Sequence, residues 1–190
     1  SIELLENLSP CLAYLLKADY IMFNAFHIFG DHKLSSLLEM VERLFLTIHQ
    51  QFQFKICIDY PIIFDGFCKL VSALISKHFD RCEVPLLTEI SNFIAFCYQQ
   101  NQVEIKKVVS SLRKSAIEFV QQINSKNAEL KQNIHQDLVI LFGITWEQLL
   151  NKEIYEENCD LIKQLLICNE AFFDLFVDRF KTDCVNEEEF

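Results

Sequence analysis

Turn-forming residues are scarce in this chain. Three Gly (Gly30, Gly66, Gly143) and three Pro (Pro10, Pro61, Pro85) are all that interrupt 190 residues. An all-β chain of this length needs a reversal about every 8–12 residues, built mostly on Gly, Pro, Asn and Asp. A nucleotide-binding α/β fold needs a Gly-rich turn between strand and helix, and none is present. Long helices remain, and the abundance of Leu, Ile, Glu, Lys and Gln suits them. The expected class is all-α, with about seven or eight antiparallel helices in a multi-helix bundle or an irregular stack.

Hydrophobic periodicity places those helices. Leu34, Leu37, Leu38, Val41, Leu44, Phe45 and Ile48 recur at three- and four-residue steps on one face, as in an amphipathic helix. The preceding segment, 10–29, is apolar nearly all round and predicts a helix packed on several sides. Residues 51–58, QFQFKICI, alternate like a short strand, but the favoured reading is a helix end followed by a loop. Pro61 suits the first turn of a third helix, whose stripe runs from Ile63 to His78. His78 is read as a C-terminal residue complementing the helix dipole. The chain turns at 81–85, and a fourth helix runs to about Gln100. Asn101 and Glu104 read as a capping-box variant opening a fifth. A sixth is expected to stop near Gly143. Thr145 and Gln148 then read as a second box opening a short helix over 146–151. One last helix is predicted over 157–181. No low-complexity linker divides the chain, so 1–190 reads as a single domain, expected to be part of a longer protein.

Taking helix starts at 10, 61, 102 and 157, helix pairs recur every 51, 41 and 55 residues. This spacing resembles the size class of HEAT and armadillo repeats, roughly 40–47 residues. The resemblance implies a stack of helix pairs that presents a groove to other proteins. The Pro, Asp and Arg positions that recur in such repeats have no aligned counterpart here, so no functional residue is carried over.

Charge and cysteine usage bound the partners. The net charge is −10, which disfavours a general nucleic-acid binder. Eight Cys lie mostly within apolar stretches and form no C-x-x-C pair. They read as reduced, structural thiols, which implies an intracellular protein, nuclear or cytoplasmic. No signal peptide is evident. Lys17, Asp19, Asn24 and His27 make segment 10–29 expensive in lipid, so no membrane partner is expected.

The chemistry-bearing motifs fail in turn. No H-E-x-x-H, no Cys/His zinc spacing, no G-x-S-x-G, no S-x-x-K and no P-loop occur. The expectation is no catalytic residue, no metal site and no cofactor. Two features remain as candidate partner-binding sites. Lys106, Lys107, Arg113 and Lys114 recur at seven residues along one predicted helix, with Lys126 and Lys131 at the next joint. They read as the exposed edge of a helix or, alternatively, as a basic ridge. Phe172, Phe173, Phe176 and Phe180 form an aromatic cluster near the end of the chain. It reads as a core seam, and as a contact surface where its rings are exposed.

The favoured function is a non-catalytic interaction or scaffold domain of a larger complex. It would bind a helix or peptide of another protein, or the rest of its own chain, in a groove between helices. Two alternatives stay open: an all-α enzyme or small-ligand binder with an apolar cavity, and a nucleic-acid-associated domain using the ridge 106–131. A homodimer is also compatible with the long apolar helices.

Overall fold

The computed structural model describes residues 2–17, 32–100, 103–123, 128–151 and 155–184. Among them the chain is all-α, with ten α-helices and no strand. They are α1 (Ile2–Lys17), α2 (His32–Phe52), α3 (Lys55–Asp59), α4 (Pro61–Ala73), α5 (Val84–Gln99), α6 (Val103–Ile123), α7 (Ala128–Asn133), α8 (His135–Leu150), α9 (Tyr155–Cys168) and α10 (Ala171–Cys184). A π-helical turn, Leu74–His78, and a 3-10 turn, Phe79–Arg81, extend α4 toward α5. Residues 18–29 of the apolar segment 10–29, and the Asn101 cap position, lie outside the described residues.

Helix α5 is the centre of the packing. It touches α2, α6, α7 and α8, and ten of its sixteen residues are buried. Phe93 is its hub, with ring centroids 6.1 Å from Phe45, 5.3 Å from Phe54, 6.1 Å from Phe64 and 5.6 Å from Phe67. Edge-on and tilted contacts of this kind suit the ring quadrupoles. Each ring buried in this way contributes roughly 1.5–3 kcal/mol by leaving water. The abundance of Phe therefore serves the core first. Pro61 and Pro85 both lie in the first turn of a helix, where the missing N–H leaves no bond unmade.

Three sequence expectations are corrected. Segment 51–58 begins as the helix end favoured from sequence, but its second half is the short helix α3 and not a loop. Helix α2 runs to Phe52, and Gln53 and Phe54 reverse the chain with φ of 49° and 59°. This left-handed conformation costs roughly 1–2 kcal/mol per non-Gly residue. Burial of Phe54, stacked on His49 at 4.9 Å, offsets it. Second, Gly143 does not end a helix, and Thr145 and Gln148 open none. Helix α8 passes through all three, and Thr145 is fully buried. The apolar face of 138–146, packed on α5 and α9, outweighs the local signals. Third, the expected last helix, 157–181, is two helices.

The π turn has a clear consequence. The Gln122 amide of α6 donates to the carbonyl of Ile75 at 3.0 Å. A neighbouring helix thus satisfies a backbone group within the wider turn.

Candidate functional site

The break between α9 and α10 is flanked by exposed apolar side chains, Ile167 before it and Phe173, Leu175 and Phe180 after it. The Asn169 side-chain oxygen accepts a hydrogen bond from the backbone N–H of Ala171 at 3.0 Å, and its carbonyl accepts one from Phe172 at 3.0 Å. Asn is a preferred helix-starting residue because its side chain occupies an otherwise orphaned donor. The Lys131 ammonium reaches the Cys168 carbonyl at 3.4 Å, where a cation suits the C-terminal end of α9.

The turn lets Phe172 enter the core. It is fully buried, 5.8 Å from Phe142 and 5.9 Å from His135. One further turn along, Phe176 meets Trp146 edge-on at 5.4 Å, and Trp146 itself stacks over Phe142 at 6.4 Å. The indole N–H donates to the Asp183 carboxylate at 2.8 Å. Phe172, Phe176 and Asp183 thus define the inner face of α10.

A second apolar stripe runs along the same helix. At 100° per residue, Phe173, Val177 and Phe180 fall roughly a quarter-turn from the inner face. Phe173 is 58% exposed and Phe180 49% exposed, while Val177 is half-buried. The four- and three-residue steps between them are those of a coiled-coil seam. Asp174 and Lys181 each follow a stripe Phe by one residue and are exposed on the same flank. Ile167 and Leu175 are also exposed nearby in sequence. The aromatic cluster divides between core and surface: Phe172 is core, Phe176 is half-buried, Phe180 stacks on Phe176 at 6.1 Å with about half of its surface exposed, and Phe173 faces outward.

Of the basic residues, Arg113 is not displayed at the surface. Arg113 is only 5% exposed and lies against Tyr98. Burial pushes the Tyr98 hydroxyl up in pKa, and the Arg113 charge pulls the other way. Arg113 Nε and Nη1 have no hydrogen-bond partner. Helical rotation explains the correction, because Leu112, Arg113, Ser115 and Ala116 together form the buried face of α6. Lys114 is exposed, and Lys131 is engaged with Cys168. The side chains of Lys106 and Lys107, and all of Lys126, lie outside the described residues.

A polar cluster escaped the sequence reading. His49 Nδ1 and Glu89 Oε2 are 2.7 Å apart between α2 and α5. Asp137 of α8 faces them, and its carboxyl is raised by burial and by Glu89, with Ser91 and His49 pulling it down. Ser91 Oγ and Asp137 Oδ2 are buried without a hydrogen bond of good geometry. A His–carboxylate pair can relay a proton, yet Ser91 is fully buried and offers no accessible nucleophile. The one available signal was polar Glu89 and Ser91 amid the apolar run of α5.

Three thiols, Cys57, Cys68 and Cys97, adjoin one another in the core, all free. Burial pushes Cys57 up to about 12 and also raises Cys97. Among the described residues, no group of three or more His, Cys, Asp or Glu is placed to hold a metal ion. No described helix is long and apolar enough to cross a membrane. Compared with protein-family models, curated proteins and solved structures, the chain finds no match.

Proposed function

We propose that this chain is a non-catalytic interaction domain of a larger intracellular assembly, nuclear or cytoplasmic, and that α10 is its contact helix. The observation that carries the reading is the outer stripe of α10. Two large aromatic rings, Phe173 and Phe180, are partly exposed at seven-residue spacing on a helix held to the body by its other face, with Phe180 stacked on Phe176 at 6.1 Å. Exposed rings lose free energy in water, and contiguous exposed apolar surface marks contacts. A seam of this spacing fits an α-helix laid along it. The free, buried thiols suit a reducing compartment.

The test compares the wild-type domain with the Phe173→Ser/Phe180→Ser variant as bait at high salt. Phe173 is the more exposed ring and Phe180 loses only its stacking on Phe176, so helical content is expected to be kept and Tm to fall by no more than a few degrees. A protein partner that the wild type retains and the variant loses supports the reading. Equal retention by both baits overturns it.

A further inference from the structure

The occupant of the α10 stripe is written in the stripe's own flank. Resting on the reading of α10 as a contact helix, we propose that it is α10 of a second copy of this chain, packed antiparallel about a two-fold axis. An isologous contact requires a surface complementary to itself, and three features of α10 meet that condition. First, the seam residues Phe173, Val177 and Phe180 follow the four–three spacing of knobs-into-holes packing. Second, a two-fold passing between residues 178 and 179 sets Val177 against the partner's Phe180, and Phe180 against the partner's Val177. Bulky and small side chains then alternate across the seam. Third, the same register sets Asp174 and the partner's Lys181 on the same flank of the seam, offset by two residues or about 3 Å along the axis, within reach of the long Lys side chain, and Lys181 and the partner's Asp174 likewise. These charges are exposed, lie on one flank and are seven residues apart. The antiparallel two-fold turns that separation into two ion pairs.

The inner face of α10 does not compete for this contact. Phe172, Phe176 and Asp183 are already engaged by Phe142, His135 and Trp146. A seam of two helical turns falls at the small end of specific interfaces, below about 1,200 Å² in total. The dimer is therefore weak and concentration-dependent. Flanking ion pairs set its orientation more than its strength.

Sedimentation equilibrium on the full chain tests this. The wild type is expected to pass from monomer to dimer as its concentration rises toward about 1 mM, the weak end of the affinity scale. Phe180→Asp is expected to weaken the dimer at least tenfold. Asp174→Lys sets Lys beside the partner's Lys181, and Lys181→Asp sets Asp beside the partner's Asp174, so each variant alone is expected to lose association. Mixed, the two variants restore both opposite-charge pairs, and a heterodimer at least as tight as the wild-type dimer is expected. All these positions are exposed, and circular dichroism checks that each variant stays folded. A wild type that remains monomeric at about 1 mM overturns the proposal. So does a dimer indifferent to Phe180→Asp, or a mixture no tighter than the separate variants. A monomer whose partner capture still depends on Phe173 and Phe180 refutes self-association while leaving the interaction reading intact.

Discussion

Asp137 shows how a single buried group ties the packing to pH. Its carboxyl is raised above the ordinary 3.8, with burial the largest cause and Glu89 adding to it. A raised carboxyl means the folded state holds its proton more tightly than the unfolded state does. Stability from this site is therefore full below about 3.8 and declines as pH rises through the higher folded value. Asp137→Asn removes that loss. We expect the variant to have a higher Tm than wild type at pH 7 and a difference that shrinks toward pH 4. A constant difference across that range would sink the account. The thiols give a second residue-scale prediction. With Cys57 pushed up to about 12 and Cys97 raised as well, the thiolate that reacts with disulfide reagents is nearly absent at pH 8. Both are expected to stay unlabelled in the native protein and to react on unfolding, whereas half-buried Cys159 reacts before either. At this scale the sequence was legible for apolar groups and not for polar ones. Val41, Phe45 and Ile48 announced their burial by period. His49, Glu89 and Asp137 are brought together by α2, α5 and α8, and no local pattern encodes that meeting. Arg113 misled for the same reason. Its seven-residue pairing with Lys106 was visible, but the face of α6 that points inward is chosen by neighbours.

At the scale of elements, helix interiors were readable and helix ends were not. Period and propensity act over ten or more residues, whereas an end depends on a few hydrogen bonds. Gly143 and the Thr145–Gln148 pair looked like stop and start signals, yet packing carried α8 through them. Gly143 therefore sits within a helix with its conformational freedom unused. A Cβ added there meets no atom within 4 Å. Gly143→Ala is expected to stabilise the fold by roughly 0.5–1 kcal/mol, a rise of about 1–4 °C in Tm at this chain length. A fall in Tm would show that the site is crowded after all. Asn169 is the opposite case, an end signal passed over because the apolar pattern continues across it. Asn169→Ala removes the oxygen that accepts from Ala171 and is expected to cost about 1 kcal/mol. Hydrogen exchange should localise the loss to 171–176. A change spread evenly over the chain would contradict this cap.

For the molecule as a whole, charge is the property that packing does not resolve. The chain carries −10, and part of that charge is concentrated where α2 meets α5. Glu42 is raised by burial first and then by Glu83, Glu39 and Glu89, with only Arg43 opposing. Like Asp137, it binds its proton more tightly when folded, so both groups lower stability as pH rises above the ordinary carboxylate range. Self-repulsion of a net-negative surface acts in the same direction. Salt screens the exposed part of this repulsion, since the Debye length falls from about 10 Å at 0.1 M to about 3 Å at 1 M. Two outcomes follow for thermal unfolding. Added NaCl should raise Tm at pH 7 by a few degrees, the equivalent of about 1 kcal/mol. The pH of greatest stability should lie on the acid side of neutrality, where Glu42 and Asp137 take up protons while most exposed carboxylates stay charged. Unfolding should be followed at low protein concentration, where the proposed α10 dimer is dissociated and contributes nothing. A Tm that falls with salt at pH 7 would mean that attractive pairs such as Asp65–Lys69 outweigh the like-charge cluster, and the electrostatic account would be wrong.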